Sequence, residues 1–458
     1  MFSKLKNALQ ASKGEFTEIR LEREWRTEVK YEKDNLINLD SSQEAGGIVR
    51  TLVRGGWGIA TFNSLEELEE KVKEASKIGK ETASQLDHEV ELASVEPREE
   101  KVNSELKDDF REVPLEKKRD VVRNYNKLIR GHDERIESTK AVYGDSFRKL
   151  TYVNTEGTRI YQEIPDITLA LVAVARKGEN NVQTAHDSIG RAGGFEHVEN
   201  REEMAREVAE RSVSLLEAEP VEGGNYTVLL NPKLAGVFIH EAFGHLCEAD
   251  HVYKNERLKE VMKLGREFGP ENLNVVDEGF IAGKRGNLPY DDEGVPRRKT
   301  YLIQDGKLNS FLHSRETAKK MGQEPTGNAR AISYRYEPIV RMTNTYIEEG
   351  DKSFDELIGS IDHGIYAKDA YGGQTQLEQF TFSAGYGHLI EDGEVGPMVR
   401  DVVLTGNIFR SLDNITGIGN DLDIIGSAGG CGKGGQMPLP VTDGSPHLRI
   451  EDVTIGGR

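Results

Sequence analysis

TVLLNPKLAGVFIHEAFGHL, Thr227 to Leu246, decides how the rest of the chain is read. An apolar strand, TVLLN, is followed by a helix that bears two histidines and a glutamate within six residues. Zinc proteases commonly carry His-Glu-x-x-His, with the histidines four apart on one helix face. Here His240 and His245 are five apart. At about 100° per residue, five steps leave them about 140° apart on a regular helix, pointing away from each other. A π-bulge, with one extra residue in the turn, brings them back to one side, and such bulges gather at functional sites. Gly244 loosens the backbone where that distortion is needed, so a bulge or helix end is expected at about Phe243 to His245. On spacing alone two readings stay open: a metal site, or a helix whose histidines pair with nearby carboxylates.

A catalytic zinc takes three protein ligands and keeps a position open. Cys247 lies about 200° round a helix from His245 and about 10 Å along the axis from His240, and reads as a small apolar filler. Cys431 is the better third ligand, because it sits in SAGGCGKGGQ, where glycines let the backbone approach a metal or an extended peptide. The competing reading of that loop, a phosphate cradle around Lys433, lacks the Lys-Ser/Thr pattern and the strand-loop-helix context. Glu248 and Asp250 rank behind Cys431 as ligands, or hold a histidine by its second ring nitrogen. His251, His363 and His388 are in reserve. Glu241 directly follows a ligand and so lies beside the metal without occupying it, as a proton shuttle must.

Working outward, 458 residues are enough for two or three cores. The fold class is α+β: N-terminal α+β units followed by a β-rich domain that carries the histidine helix. Alternating apolar residues from Ile19 to Tyr31, then IVRTLV and GIATF across Gly55-Gly56, read as short paired strands. A helix follows, with Ser64 and Glu67 at capping-box spacing and Gly79 at its C-terminal cap. Residues 83 to about 113 read as a solvated helix or connector. A helix from Pro114, strands KLTYVN, TRIYQEI and ITLALVAVAR, and a helix near 201–217 form a second unit. EAEPVEGGN then marks a boundary, giving residues 1–220 as an N-terminal region, in units of about 1–82 and 114–220, and 225–458 as the β-rich domain. YLIQDGKLNSFL and HLIEDGEVGPMV read as hairpins turning at Asp-Gly.

A charge of −19, from 60 Lys+Arg against 79 Asp+Glu, repels phosphate backbones and anionic lipid, so neither nucleic acid nor membrane is an expected partner. Two cysteines exclude a disulfide framework and fit a reducing compartment. With no apolar run long enough to span a bilayer and no signal-peptide core at the start, the expectation is a soluble, cytoplasmic protein.

HEAFGHLCEAD at 240–250, YDDEGVP at 290–296, TGNARAISYRYEPIVRMTNTY at 326–346 and GGCGKGGQ at 429–436 together resemble the TldD members of the TldD/PmbA family. The match is looser before residue 220. The resemblance implies a zinc-dependent peptidase for unfolded peptides, with one zinc on His240, His245 and Cys431, Glu241 as catalytic base, and a partner subunit of the TldE/PmbA type or a second copy. Two other classes compete with it: a noncatalytic modulator of gyrase or of an antitoxin, and a zinc amidase for small molecules.

Overall fold

The computed structural model describes residues 2–456 except 87 and 377. One sheet runs through most of the first 191 residues, in the order Gly56–Phe62, Asn35–Val53, Phe16–Glu32, Ile136–Asn154, Arg159–Lys177, with Glu99–Val102 and Asn181–Arg191 both pairing the last of these. The expected IVRTLV and GIATF pair is present, Leu52 facing Trp57, but at the end of a strand of 19 residues rather than in a short one. TRIYQEI and ITLALVAVAR also merge into one strand through Pro165. Its outer edge pairs Glu99–Val102 up to Gln162 and Asn181–Arg191 from Ile167, so Pro165 falls where that edge has no ladder bond to lose.

The helix expected from Ser64 starts at Leu68 and runs to Ala83. Ser64 Oγ instead accepts from the nearby Glu66 N–H, so the capping box is not formed. Gly79 is no cap either: it lies inside the helix, against strand Gly56–Phe62, where a Cβ on Gly58 would stand 1.9 Å from Ala75 O. These glycines let helix and strand backbones touch. Among the described residues, 84–113 form a connector without helix, pinned by the short strand Glu99–Val102 and by buried Phe110. Helices Leu115–Arg130 and Glu202–Glu217 cover one sheet face, burying Val122, Ile129, Val208 and Leu215 against Tyr143, Leu169 and Leu171.

The second half is β-rich. Its larger sheet includes His363–Gln376, Gly224–Leu230, Leu448–Gly456, Val403–Asn407, Gln379–Glu391 and Glu394–Arg400. A second sheet includes Lys299–Gln304, Val275–Glu278, Asn344–Ile347 and Thr442–Ser445. Both Asp-Gly hairpins form, with positive φ at Asp305-Gly306 and Asp392-Gly393 as tight turns require. The apolar helix Pro232–Ile239 packs between the two sheets.

YDDEGVP joins the halves of the molecule. Asp291 closes its own loop by accepting from Glu293 and Val295 N–H, both at 2.9 Å. Glu293 shares the Arg50 guanidinium with Glu18, at 3.4 and 2.8 Å, and Tyr152 donates to Glu18 at 2.7 Å. All four side chains are buried, so losing Arg50 would take the shared cation from two buried carboxylates.

Candidate metal centre

The centre is built from where the histidine helix ends. Asn231 caps its start by accepting from Leu234 N–H at 3.0 Å, with Pro232 in the first turn. Regular α-helix runs to Ile239, a π-helical turn occupies His240–Gly244, and a 3₁₀ turn follows at His245–Cys247. His245 N–H donates to His240 O, the i to i+5 bond that absorbs the extra residue. The distortion begins three residues earlier than the sequence suggests. The two rings come to one side, centroids 5.2 Å apart and nearly perpendicular.

Gly244 has a different reason from the one its sequence position suggests. Its φ of −54° is ordinary helical backbone, open to any residue. A Cβ there would stand 2.2 Å from Met342 Sδ, so the glycine makes room for a neighbour.

Cys431 arrives on a small hairpin, Cys431–Lys433 paired with Gln436–Leu439, whose turn is Gly434-Gly435 with both φ angles positive. Its Sγ lies 3.4 Å from His245 Nε2, and one donor atom from each of His240, His245 and Cys431 falls within 4.8 Å of the others. Tetrahedral zinc with one thiolate and imidazoles needs S to N edges of about 3.6 Å, close to the contact between Cys431 and His245. The hairpin backbone is less free than its glycines suggest. Arg341 donates to Cys431 O at 2.7 Å and Arg285 to Gly429 O, so these carbonyls are not open to a peptide.

Each imidazole is backed by a carboxylate. His245 Nδ1 meets Glu248 Oε2 at 2.9 Å, and His240 Nδ1 meets Asp443 Oδ1 at 2.6 Å. Both contacts leave Nε2 for a metal, the usual outer arrangement. Glu248 thus orients a histidine, while Asp250 instead receives Lys433 Nζ at 2.6 Å. With Glu248 also 3.1 Å away, the Lys433 ammonium is committed to carboxylates, which removes the phosphate-cradle reading. Sequence reasoning missed Asp443. Only the fold brings it in: Gly236 and Gly444 let helix and strand backbones touch, one turn before His240 and one residue after Asp443.

The electrostatics follow from crowding these groups together. Burial alone would push the Cys431 thiol up, but bonds from His240 and His245 and their charge bring it down to about 5. His245, which burial would lower, is raised to about 10 by Glu248 and by Cys431. His240 is raised well above an ordinary histidine, Asp443 overcoming its burial. Glu241 is raised by burial, against the pull of the two histidines; its Oε2 is 3.9 Å from His245 Nε2. Protons therefore balance a thiolate where a cation would otherwise do so.

Cys247 is fully buried in the apolar core, as a filler should be. His251 is half exposed, His363 packs on Tyr226, and His388 bonds Gly396 O, so none of the reserve histidines joins the centre.

Family models described as PmbA/TldA metallopeptidase domain 1, central domain and C-terminal domain match residues 17–79, 108–216 and 223–457. The chain belongs to this PmbA/TldD metallopeptidase family. It is 42% identical to a metalloprotease of Synechocystis over 97% of this chain and 96% of the other. A zinc metalloprotease TldD homolog of Saccharolobus solfataricus is 32% identical over 70% of this chain and 72% of that one. The crystal structure of TldE from Thermococcus kodakarensis shares the fold with a TM-score of 0.77 at 21% identity, covering 100% of both chains. Family membership makes the chain a metallopeptidase. Among the described residues, no helix is long and apolar enough to cross a membrane.

Proposed function

We propose that the chain is a zinc-dependent peptidase that hydrolyses unfolded or small peptides, with one zinc held by His240, His245 and Cys431 and with Glu241 as general base. The observation that carries this reading is the convergence of two carboxylate-backed imidazoles and a low-pKa thiol within 4.8 Å, with a carboxylate alongside. Zinc at that point supplies Lewis-acid polarisation of the scissile carbonyl and of water. Glu241 accepts the proton of the attacking water and returns it to the leaving amine, a role its raised pKa suits. Asp443 and Glu248 hold the two rings in the ligating orientation.

The same reading includes a cytoplasmic protein working with a TldE/PmbA-type subunit or a second copy, and a functional division between residues 1–220 and 225–458. The fold shared with TldE supports the first, and two free cysteines fit the compartment. Glu241→Gln is the direct test. The expected result is unchanged zinc by elemental analysis, with internal peptide cleavage, followed by mass spectrometry, reduced at least 100-fold. Cleavage at the wild-type rate refutes the hydrolytic role of Glu241. Loss of a small amide's hydrolysis with no peptide cut by the parent protein identifies an amidase instead.

A further inference from the structure

We infer that Lys433 is a positioning residue that sets Cys431 against His245, a role that rests on the zinc reading above. The two ligand-bearing segments lie 186 residues apart in sequence and share no regular secondary structure. What joins them beside the ligands is a buried ion pair. Cys431 and Lys433 are two residues apart on one strand, at an irregularity in its pairing with Gln436–Leu439, and both side chains reach the end of the histidine helix, Sγ at His245 and Nζ at Glu248. Glu248 is three residues beyond His245 and fully buried. Lys433 Nζ stands 3.1 Å from Glu248 Oε2, the same oxygen that lies 2.9 Å from His245 Nδ1. It also donates to Asp250 Oδ1 at 2.6 Å and to Val340 O at 2.8 Å. The chain thus closes a ring: Cys431, Lys433, Glu248, His245, and back to Cys431 through the 3.4 Å contact.

Arg341 holds the hairpin from its other side, through Cys431 O and Gln436 O. Gln436 adds to that anchor, its side chain accepting from Ile332 N–H at 3.0 Å and donating to Glu337 O at 3.0 Å. Lys433 ties the hairpin to the segment just past the histidines, because its three acceptors are the Glu248 carboxylate, the Asp250 carboxylate on the next short helix and the carbonyl of Val340 in strand Ile339–Val340. A compact, rotatable ammonium meets three converging oxygens, whereas a planar guanidinium of greater length cannot do so without moving the strand.

The test uses the full chain with Lys433→Arg and Lys433→Met. Lys433→Arg keeps the charge that buried Glu248 and Asp250 require, so folding is preserved and only geometry changes. The readouts are zinc affinity by competition with a chelator and, after cobalt substitution, the thiolate-to-cobalt charge-transfer band that reports Cys431 on the metal. The expected result is roughly three- to tenfold weaker zinc binding and an altered or reduced band for Lys433→Arg, less than the 10- to 100-fold of a lost outer-shell partner because the charge is kept. Lys433→Met, where it folds, is expected to lose the band and about 100-fold in affinity. Wild-type affinity and an unchanged band in Lys433→Arg overturn the inference, since charge balance alone then explains the lysine. A parent protein with no thiolate band refutes Cys431 ligation itself and so separates that failure from this one.

Discussion

Cys247 and Cys431 are both buried, both free and both within reach of the histidine helix, yet their surroundings give them opposite chemistry. Around Cys247 stand apolar side chains and the carboxylates Glu248 and Asp277, so burial and then charge push its thiol well above the ordinary range. Around Cys431 stand two imidazoles, which more than offset a similar burial and bring it to about 5. A thiolate is the metal-binding form. Burial therefore says little about a cysteine, and the sign of its nearest charges says a great deal.

The largest test of that contrast is a pair of substitutions. Cys431→Ser is expected to lose stoichiometric zinc and at least 100-fold in peptide cleavage, while Cys247→Ala keeps both and costs about 1 kcal/mol in urea unfolding, as for a small core truncation. Equal zinc in the two proteins removes Cys431 from the ligand set. Next in size is Asp443→Asn, which leaves His240 in place but weakens its backing carboxylate. Metal affinity should fall 10- to 100-fold, measured by chelator competition, and an unchanged affinity would assign the orientation of His240 to packing alone.

The protons give a third measurement. Between about pH 5 and pH 10 the metal-free centre holds Cys431 as thiolate and His245 protonated, and at pH 7 His240, raised well above an ordinary histidine by Asp443, is protonated as well. Zinc requires neutral imidazoles, so binding displaces protons and affinity rises with pH across that window. Calorimetry in buffers of different ionisation enthalpy should count about two protons released per zinc at pH 7, with a third appearing below about pH 5 as the thiol protonates. Release of none would mean the histidines are already neutral. The smallest effect is at Gly244, where Ala meets Met342 Sδ at 2.2 Å. Overpacking of that kind costs about 1–3 kcal/mol, and Met342→Ala should recover part of it in a double-mutant cycle. Loss that persists in the double variant would return the glycine to a backbone role.

Much of the site was legible in the chain because local geometry is a local matter. Two histidines five positions apart diverge on a regular helix, and the π-helical turn at His240–Gly244 is the backbone's answer. Alternation, Asp-Gly pairs and composition likewise revealed the α+β class and both hairpins. Where the reading slipped, a glycine was assigned to conformation when it served contact. Gly79 and Gly244 both adopt ordinary helical angles and are small because Gly56, Gly58 or Met342 lies against them. A single sequence contains no sign of which distant atoms will press on a glycine.

By itself, then, the sequence determined the candidate ligands, the bulge between the two histidines and the sheet-forming texture of both halves, since bulge and texture depend on residues within a turn or two of one another. Only the tertiary structure decided that Asp443 backs His240 and that Lys433 ties the cysteine hairpin to Glu248. Those pairings depend on the close approach of Gly236 to Gly444 and on the hairpin lying over the helix end. Such contacts join segments some 180 to 200 residues apart, and they are chosen by how whole sheets pack rather than by any local preference.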